Sequence, residues 1–158
     1  MNLTDNTSLK FFSPHLIMPM CGNGSRFTKK GYLTPKPLIE IHNRPFFYWA
    51  VRSIQKYIPI KTLTFLTLKQ HILEFNLDER IHEYFPNASI VALPKTPAGP
   101  TNTCLEGIKK ISDASPIIFN DCDHLFYSSQ LISALTSPIY FDGGLLSFKS
   151  KNPQYSYI

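Results

Sequence analysis

The stretch HLIMPMCGNGSRF, residues 15–27, carries the strongest pattern in the sequence. Its apolar first part, residues 15–20, predicts a buried strand, which leads directly into two glycines one residue apart. Glycines at this spacing let the backbone turn tightly and approach a ligand closely. Backbone N–H groups in such a turn bind phosphate oxygens, and the Arg26 guanidinium can grip a phosphate with two parallel hydrogen bonds. The stretch therefore predicts an anion-binding loop after the first strand.

Outward from this loop, predicted strands and helices alternate. The loop continues through residues 21–37, and residues 38–41 are predicted to be a short extended piece. Strands are predicted at residues 62–68, 88–93, 117–120 and 144–149, and helices at residues 46–57, 70–84, 101–111 and 128–135, with Thr101 and Ser128 as N-caps. Such alternation predicts a three-layer α/β fold, with a mostly parallel Rossmann-like sheet and helices on both faces. Ligands of such sheets bind beyond the carboxyl ends of the strands.

A second element of the loop is Lys36, which stands between Pro35 and Pro37. The two prolines stiffen the chain and are expected to hold the lysine ammonium in place. The pattern is not a P-loop, because no Gly-Lys-Ser/Thr follows. It is not a dinucleotide-binding fingerprint either, because Phe27 stands where the third glycine would be.

Two carboxylates follow the predicted strand at residues 117–120. Asp121 and Asp123 lie on one face if the chain stays extended, and carboxylate oxygens suit a hard cation. The alternative is a pair of turn or helix-capping aspartates. A zinc site using Cys122 and His124 is disfavoured, because no second pair of ligands with zinc spacing exists.

The segments PMCGNGSRF (residues 19–27), KPLIEI (36–41) and RPF (44–46) together resemble the signature of sugar-phosphate nucleotidyltransferases. That family has G-x-G-x-R followed by an apolar residue, then P-K-P with two aliphatic residues, then a basic residue and proline before a helix. Cys21 and Phe27 depart mildly from it, since alanine or glycine and leucine are common there. The resemblance implies the GT-A-like fold of the nucleotide-diphospho-sugar transferases.

The resemblance also implies an activity: Mg²⁺-dependent transfer of NMP from an NTP to a sugar 1-phosphate or similar phosphorylated acceptor, with release of pyrophosphate. Arg26 and Lys36 would be the catalytic residues and stabilise charge on the phosphates. Asp123, and after it Asp121, would bind Mg²⁺. The nucleotide-binding residues would be Met20, Cys21, Gly22, Asn23, Gly24, Ser25, Gly99 and Thr101.

Gly99 and Thr101 belong to a proline-rich segment that loosely resembles the family's base-contacting loop; a plain connector is the alternative. Residues 148–150 and 152–157 resemble the segment that leads to the acceptor site. We expect residues 1–13 to be a flexible leader and residues 14–158 to be the nucleotidyltransferase domain without its C-terminal part. The family's second metal-binding aspartate and acceptor strands are not matched.

Three functions stay open. The first is the sugar-phosphate transferase, for instance for polysaccharide biosynthesis. The second is a cytidylyltransferase acting on an alcohol or amino-compound phosphate. The third is a catalytically incomplete nucleotide-binding or interaction module.

Charge and cysteine content bear on the binding partners and the cellular location of the protein. The net charge of +5 fits anionic substrates, and the scattered lysines and arginines argue against nucleic acid as a partner. Three cysteines without a C-x-x-C pair favour a reducing compartment, and no apolar stretch could span a membrane. We therefore expect a cytoplasmic protein. An unfinished sheet edge makes a homo-oligomer possible.

Overall fold

Six strands and six helices are present in the computed structural model, which describes residues 13–22, 24–125, 127–136 and 142–152. The strands are β1 His15–Pro19, β2 Glu40–Ile41, β3 Arg44–Pro45, β4 Thr62–Leu68, β5 Ser89–Leu93 and β6 Ile117–Phe119. The helices are α1 Ser25–Thr28, α2 Phe46–Gln55, α3 Lys69–Phe75, α4 Leu77–Tyr84, α5 Pro100–Ile108 and α6 Ser129–Thr136, with a 3-10 helix at Lys36–Leu38. Among these helices none is long and apolar enough to cross a membrane.

The central sheet has the strand order β5-β4-β1-β6, and all its neighbouring strands are parallel. The chain passes outward from β1 to β4 and β5, and then crosses back to place β6 on the other side of β1. The strand order therefore reverses between β1 and β6. In open α/β sheets this reversal opens a crevice beyond the carboxyl ends of the two strands, where ligands bind.

Both faces of the sheet are covered, as the alternating pattern predicts. On one face Phe47 and Val51 of α2 pack on Leu16 and Phe65, and the rings of Phe47 and Phe65 lie 5.6 Å apart, edge to face. On the other face α5 packs on β1 and β4. The three-layer α/β architecture is thereby confirmed.

Several boundaries differ from the sequence-based expectation. The helix predicted at residues 70–84 is two helices, because Asn76 adopts a left-handed conformation (φ 49°) that ends α3. Thr101 is not an N-cap: α5 begins at Pro100 after Gly99, and proline suits the first helical position because its missing N–H is not needed there. Ser128 does cap α6, since its Oγ accepts a hydrogen bond from Leu131 N at 3.0 Å.

The strand predicted at residues 144–149 is wrong. The described segment, residues 142–152, contains no strand or helix, and its apolar side chains Leu145, Leu146 and Phe148 are exposed. The alternation of apolar residues describes a strand only where a partner strand supplies hydrogen bonds, and none does so here among the described residues. The expected leader, save residue 13, and residues 153–157 lie outside the described residues.

Gly107 allows α5 to lie close to the sheet. A Cβ atom at Gly107 would stand 2.8 Å from Ile17 Cγ2 and 3.2 Å from Leu66 Cδ1. Both neighbours are fully buried, with 0% exposure, so neither can move aside freely. The spacing between α5 and the two central strands thus depends on the absence of a side chain at position 107.

We predict that Gly107→Ala destabilises the protein by about 1–2 kcal/mol. Overpacking against Ile17 outweighs the better helix propensity of alanine, which alone would stabilise by about 1 kcal/mol. Urea unfolding measures the change. Asn102→Ala, an exposed substitution in the same helix, is the matched control and should be neutral or stabilising. A Gly107→Ala protein as stable as this control would contradict the close packing.

Candidate functional site

A cleft of about 410 Å³ lies beyond the carboxyl ends of β1 and β6, where the strand order reverses. Its walls come from four segments that are far apart in the sequence: the glycine loop (residues 20–27), residues 36–37, the segment between β5 and α5, and the start of the acidic turn (residues 120–124). The predicted site residues that line it are Met20, Cys21, Gly22, Gly24, Ser25, Arg26, Lys36, Gly99 and Asp121.

The glycine loop turns at Gly24, whose φ of +59° is in the left-handed region that favours glycine. Its carbonyl oxygen accepts hydrogen bonds from Phe27 N at 2.8 Å and Thr28 N at 3.2 Å, which start α1. The turn places Ser25 and Arg26 at the wall of the cleft, with both side chains exposed.

Lys36 is held firmly at its backbone. It begins the 3-10 helix, in which Pro35 O accepts from Leu38 N at 2.9 Å and Lys36 O accepts from Ile39 N at 3.2 Å. Its ammonium lies 6.0 Å from the centroid of the Phe27 ring, so the glycine loop and the lysine segment pack together. The prolines on either side thus fix the lysine, as the sequence predicts.

The Lys36 ammonium lies 2.7 Å from Asp123 Oδ1, and the two side chains are only 24% and 25% exposed. This ion pair joins the segment after the glycine loop to the acidic turn. Asp123 is not itself among the residues that line the cleft, but its partner Lys36 is.

The acidic turn is ordered by hydrogen bonds of its own. The side chain of Asn120, which is buried, donates from Nδ2 to His124 O at 3.1 Å, and His124 N donates to Asp121 O at 3.2 Å. One ligand atom each of Asp121, Asp123 and His124 lies within 4.8 Å of the others. Two carboxylates with an imidazole fit a divalent cation, and the oxygen donors fit Mg²⁺ in particular. His124 joins the set, although the sequence disfavoured it as a zinc ligand.

The two cysteines of the cleft wall are buried thiols. Burial raises the pKa of Cys21 to about 11 and that of Cys122 to about 12. Nucleophilic attack by cysteine requires the thiolate, so neither side chain is prepared for covalent catalysis near neutral pH. The cleft therefore suits chemistry in which the protein binds and neutralises charge.

The structure separates some predicted residues from the cleft and adds others. Thr101 is exposed and does not line the cleft, and Asn23 lies outside the described residues. Thr103 takes the place expected for Thr101: it is buried in the wall, and its Oγ1 donates to Gly99 O at 3.2 Å. Thr103 and Gly107, four residues apart, are the buried residues of α5 and share its inward face. The further wall residues that the sequence did not single out are Thr96, Pro97 and Pro100.

We predict that Gly24→Ala destabilises the protein by about 1–2 kcal/mol, because a side chain at φ +59° is strained. Gly24→Asn should cost less, since asparagine visits this conformation more readily. Gly22→Ala is the matched control: a Cβ there meets nothing within 4 Å. Urea unfolding measures all three, and equal effects of Gly24→Ala and Gly22→Ala would contradict the strained turn.

The fold is shared with solved nucleotidyltransferase structures. The nucleoside-diphosphate-sugar pyrophosphorylase from Vibrio cholerae is 22% identical with a TM-score of 0.59, over 73% of this chain and 51% of that one. A nucleotidyl transferase from Methanothermobacter is 14% identical with a TM-score of 0.59, over 78% of this chain and 56% of that one. A UDP-glucose pyrophosphorylase from Acinetobacter is 16% identical with a TM-score of 0.55, over 75% of this chain and 48% of that one.

These likenesses show that the chain has the α/β fold of the nucleotidyltransferases, in agreement with the resemblance of its glycine loop. The chain spans about half the length of each of these three proteins. No protein-family model matches the sequence, and no curated protein does so either.

Proposed function

We propose that the cleft binds a nucleoside triphosphate with Mg²⁺ and forms the donor site of a nucleotidyltransferase. The observation that carries this proposal is the meeting of Lys36 and Asp123, 2.7 Å apart, at a cleft whose other wall is the glycine loop. A lysine, an arginine and backbone N–H groups on one side, with carboxylates on the other, form the set that a metal-bound triphosphate requires.

Each of these groups has a distinct task in the proposed reaction. The backbone of residues 24–26 would hold the triphosphate, and Thr96, Pro97 and Gly99 would face the nucleoside from the opposite wall. Lys36 and Arg26 would bind the α-phosphate and the pyrophosphate, and so stabilise charge that develops as the pyrophosphate leaves. The acceptor's phosphate oxygen attacks the α-phosphorus directly, so the protein supplies positioning and electrostatics without a covalent nucleophile.

The magnesium ion would be held by Asp123, with Asp121 beside it. When bound, Mg²⁺ would supply Lewis acidity and neutralise phosphate charge. The two carboxylates suit this role because Asp121 lines the cleft, Asp123 is paired with the lining residue Lys36, and their ligand atoms are within 4.8 Å of one another. Asp121 is exposed, so it can turn toward an ion without breaking a buried contact.

For the acceptor we propose a sugar 1-phosphate, with polysaccharide biosynthesis as the setting. Two of the structural neighbours, a nucleoside-diphosphate-sugar pyrophosphorylase and a UDP-glucose pyrophosphorylase, support a sugar acceptor.

We predict that one or two of ATP, CTP, GTP, UTP and dTTP raise the melting temperature in the presence of Mg²⁺. At a ligand concentration of 100 Kd the gain is about 2.7 kcal/mol, or roughly 5–10 °C for a chain of this size. Asp123→Ala should abolish the metal-dependent part of the shift. Asp142→Ala, which removes an exposed carboxylate from residues 142–152, should keep it.

The same experiment has a clear negative result. No shift with any nucleotide, or a shift that is equal in Asp123→Ala and Asp142→Ala, would contradict the proposed site. Release of pyrophosphate with the nucleotide so identified then tests the transfer step, with sugar 1-phosphates compared with amino-alcohol phosphates. Turnover with the second group alone would replace the sugar acceptor by the cytidylyltransferase alternative.

A further inference from the structure

We propose that Lys36 serves as an internal counter-ion to Asp123 and blocks the metal site while no nucleotide is bound. The lysine would compete with a divalent cation for Asp123 and release it only when a triphosphate offers the ammonium a new partner. The inference rests on the proposed function and deepens it, because it states in which combination cation and nucleotide enter the cleft.

The Lys36–Asp123 pair differs from the other ion pairs of lysine or arginine among the described residues. Its two side chains are 24% and 25% exposed, whereas Lys61–Asp113 is 43% and 39% exposed and Lys109–Glu106 is 66% and 38% exposed. The arginine pairs are 35% exposed on one side and at least 46% on the other. Exposed pairs contribute little because water screens them, so the pair in the cleft is the one whose loss has the largest consequence.

Both partners are positioned before any ligand arrives. Lys36 starts a 3-10 helix between two prolines, with Gly24 opposite its Cβ: an added Gly24 Cβ would lie 3.7 Å away. Asp123 sits in the acidic turn, which Asn120 ties to His124 O. Two segments ordered independently thus hold the ammonium against the carboxylate. The contact therefore joins two ordered segments of the fold.

The competition follows from the chemistry of the carboxylate. A hard cation binds through carboxylate oxygens, and Oδ1 of Asp123, which accepts no hydrogen bond from the described residues, lies 2.7 Å from the Lys36 ammonium in an ion pair. A cation arriving alone would displace the ammonium and bring a second positive centre beside it. Breaking a partly buried pair leaves a charge without its partner, which opposes this step.

A triphosphate removes the obstacle. Its oxygens accept the Lys36 ammonium in place of Asp123, and the carboxylate is then free for the cation. Cation and nucleotide therefore help each other to bind, and by thermodynamic linkage each raises the affinity for the other by the same factor. The empty protein would bind divalent cations poorly, and the complete charge set would form only around the substrate.

The test measures the affinity of the full chain for Mn²⁺ in the absence of nucleotide. The EPR signal of free Mn²⁺ reports how much of the ion is unbound. Lys36→Met keeps most of the unbranched side chain and removes its charge. It should bind Mn²⁺ about 3- to 10-fold more tightly than the wild type, the range that corresponds to a pair of this exposure. Lys29→Met is the matched control, because it removes the same charge at the exposed C-cap of α1.

Tighter binding by Lys36→Met than by Lys29→Met, lost again in Lys36→Met/Asp123→Asn, would establish the competition. A Lys36→Met protein that binds no more tightly than Lys29→Met would overturn it, as would tight binding that survives Asp123→Asn. A melting curve of each variant verifies that it is folded during the titration.

Failure of the competition is distinguishable from failure of the proposed function. Suppose that the nucleotide and Mg²⁺ raise the melting temperature of the wild type but Lys36→Met has no gain in Mn²⁺ affinity. The proposed donor site is then supported and the counter-ion role is contradicted. If no nucleotide binds at all while Lys36→Met gains Mn²⁺ affinity, the competition stands and the triphosphate is the wrong partner.

Discussion

Complete burial of β1 is the constraint on which the rest of the structure depends. Leu16, Ile17 and Met18 are each 0% exposed, because β1 has a parallel strand on both sides and helices on both faces. Alternate residues supply the two cores, with Leu16 and Met18 facing α2 and Ile17 facing α5. A strand fixed in this way can carry an irregular loop at its end, because the loop need not contribute to holding the strand. Gly107 belongs to the same constraint, since it lets α5 approach the strand from the second face.

The site follows from where the strand ends. The glycine loop leaves β1 at the point where the strand order reverses, and the acidic turn leaves β6 beside it. The Lys36–Asp123 pair then brings two segments together that no sheet hydrogen bond joins. This arrangement places positive groups and carboxylates around one cleft, which suits a polyanion that arrives with a metal ion.

The sequence predicted the central strands well, and its failures have physical causes. Strand β4 was predicted at its observed bounds from its alternating and partly β-branched pattern, and all but its first residue are buried. The pairing of Lys36 with Asp123 could not be predicted from the sequence alone, since 86 positions separate them and only the strand order brings them together. Thr103 was missed because Thr101 was predicted to be the N-cap and the polar contact of this segment, whereas Gly99 is the N-cap and Thr103 is buried. The strand at residues 144–149 was predicted from its local sequence, which carries no information about whether a neighbouring strand is present.

The most direct measurement is a crystal structure of the full chain with Mn²⁺ and a non-hydrolysable analogue of the nucleotide that gives the largest thermal shift. The proposed site predicts an anomalous peak roughly 2.2 Å from a carboxylate oxygen of Asp123, a distance typical of a hard divalent cation with oxygen ligands. It also predicts that the triphosphate lies against residues 24–26, with Lys36 on a phosphate oxygen. A nucleotide bound elsewhere, or a cleft in which Lys36 still contacts Asp123 and the manganese lies at another place, would contradict the proposal.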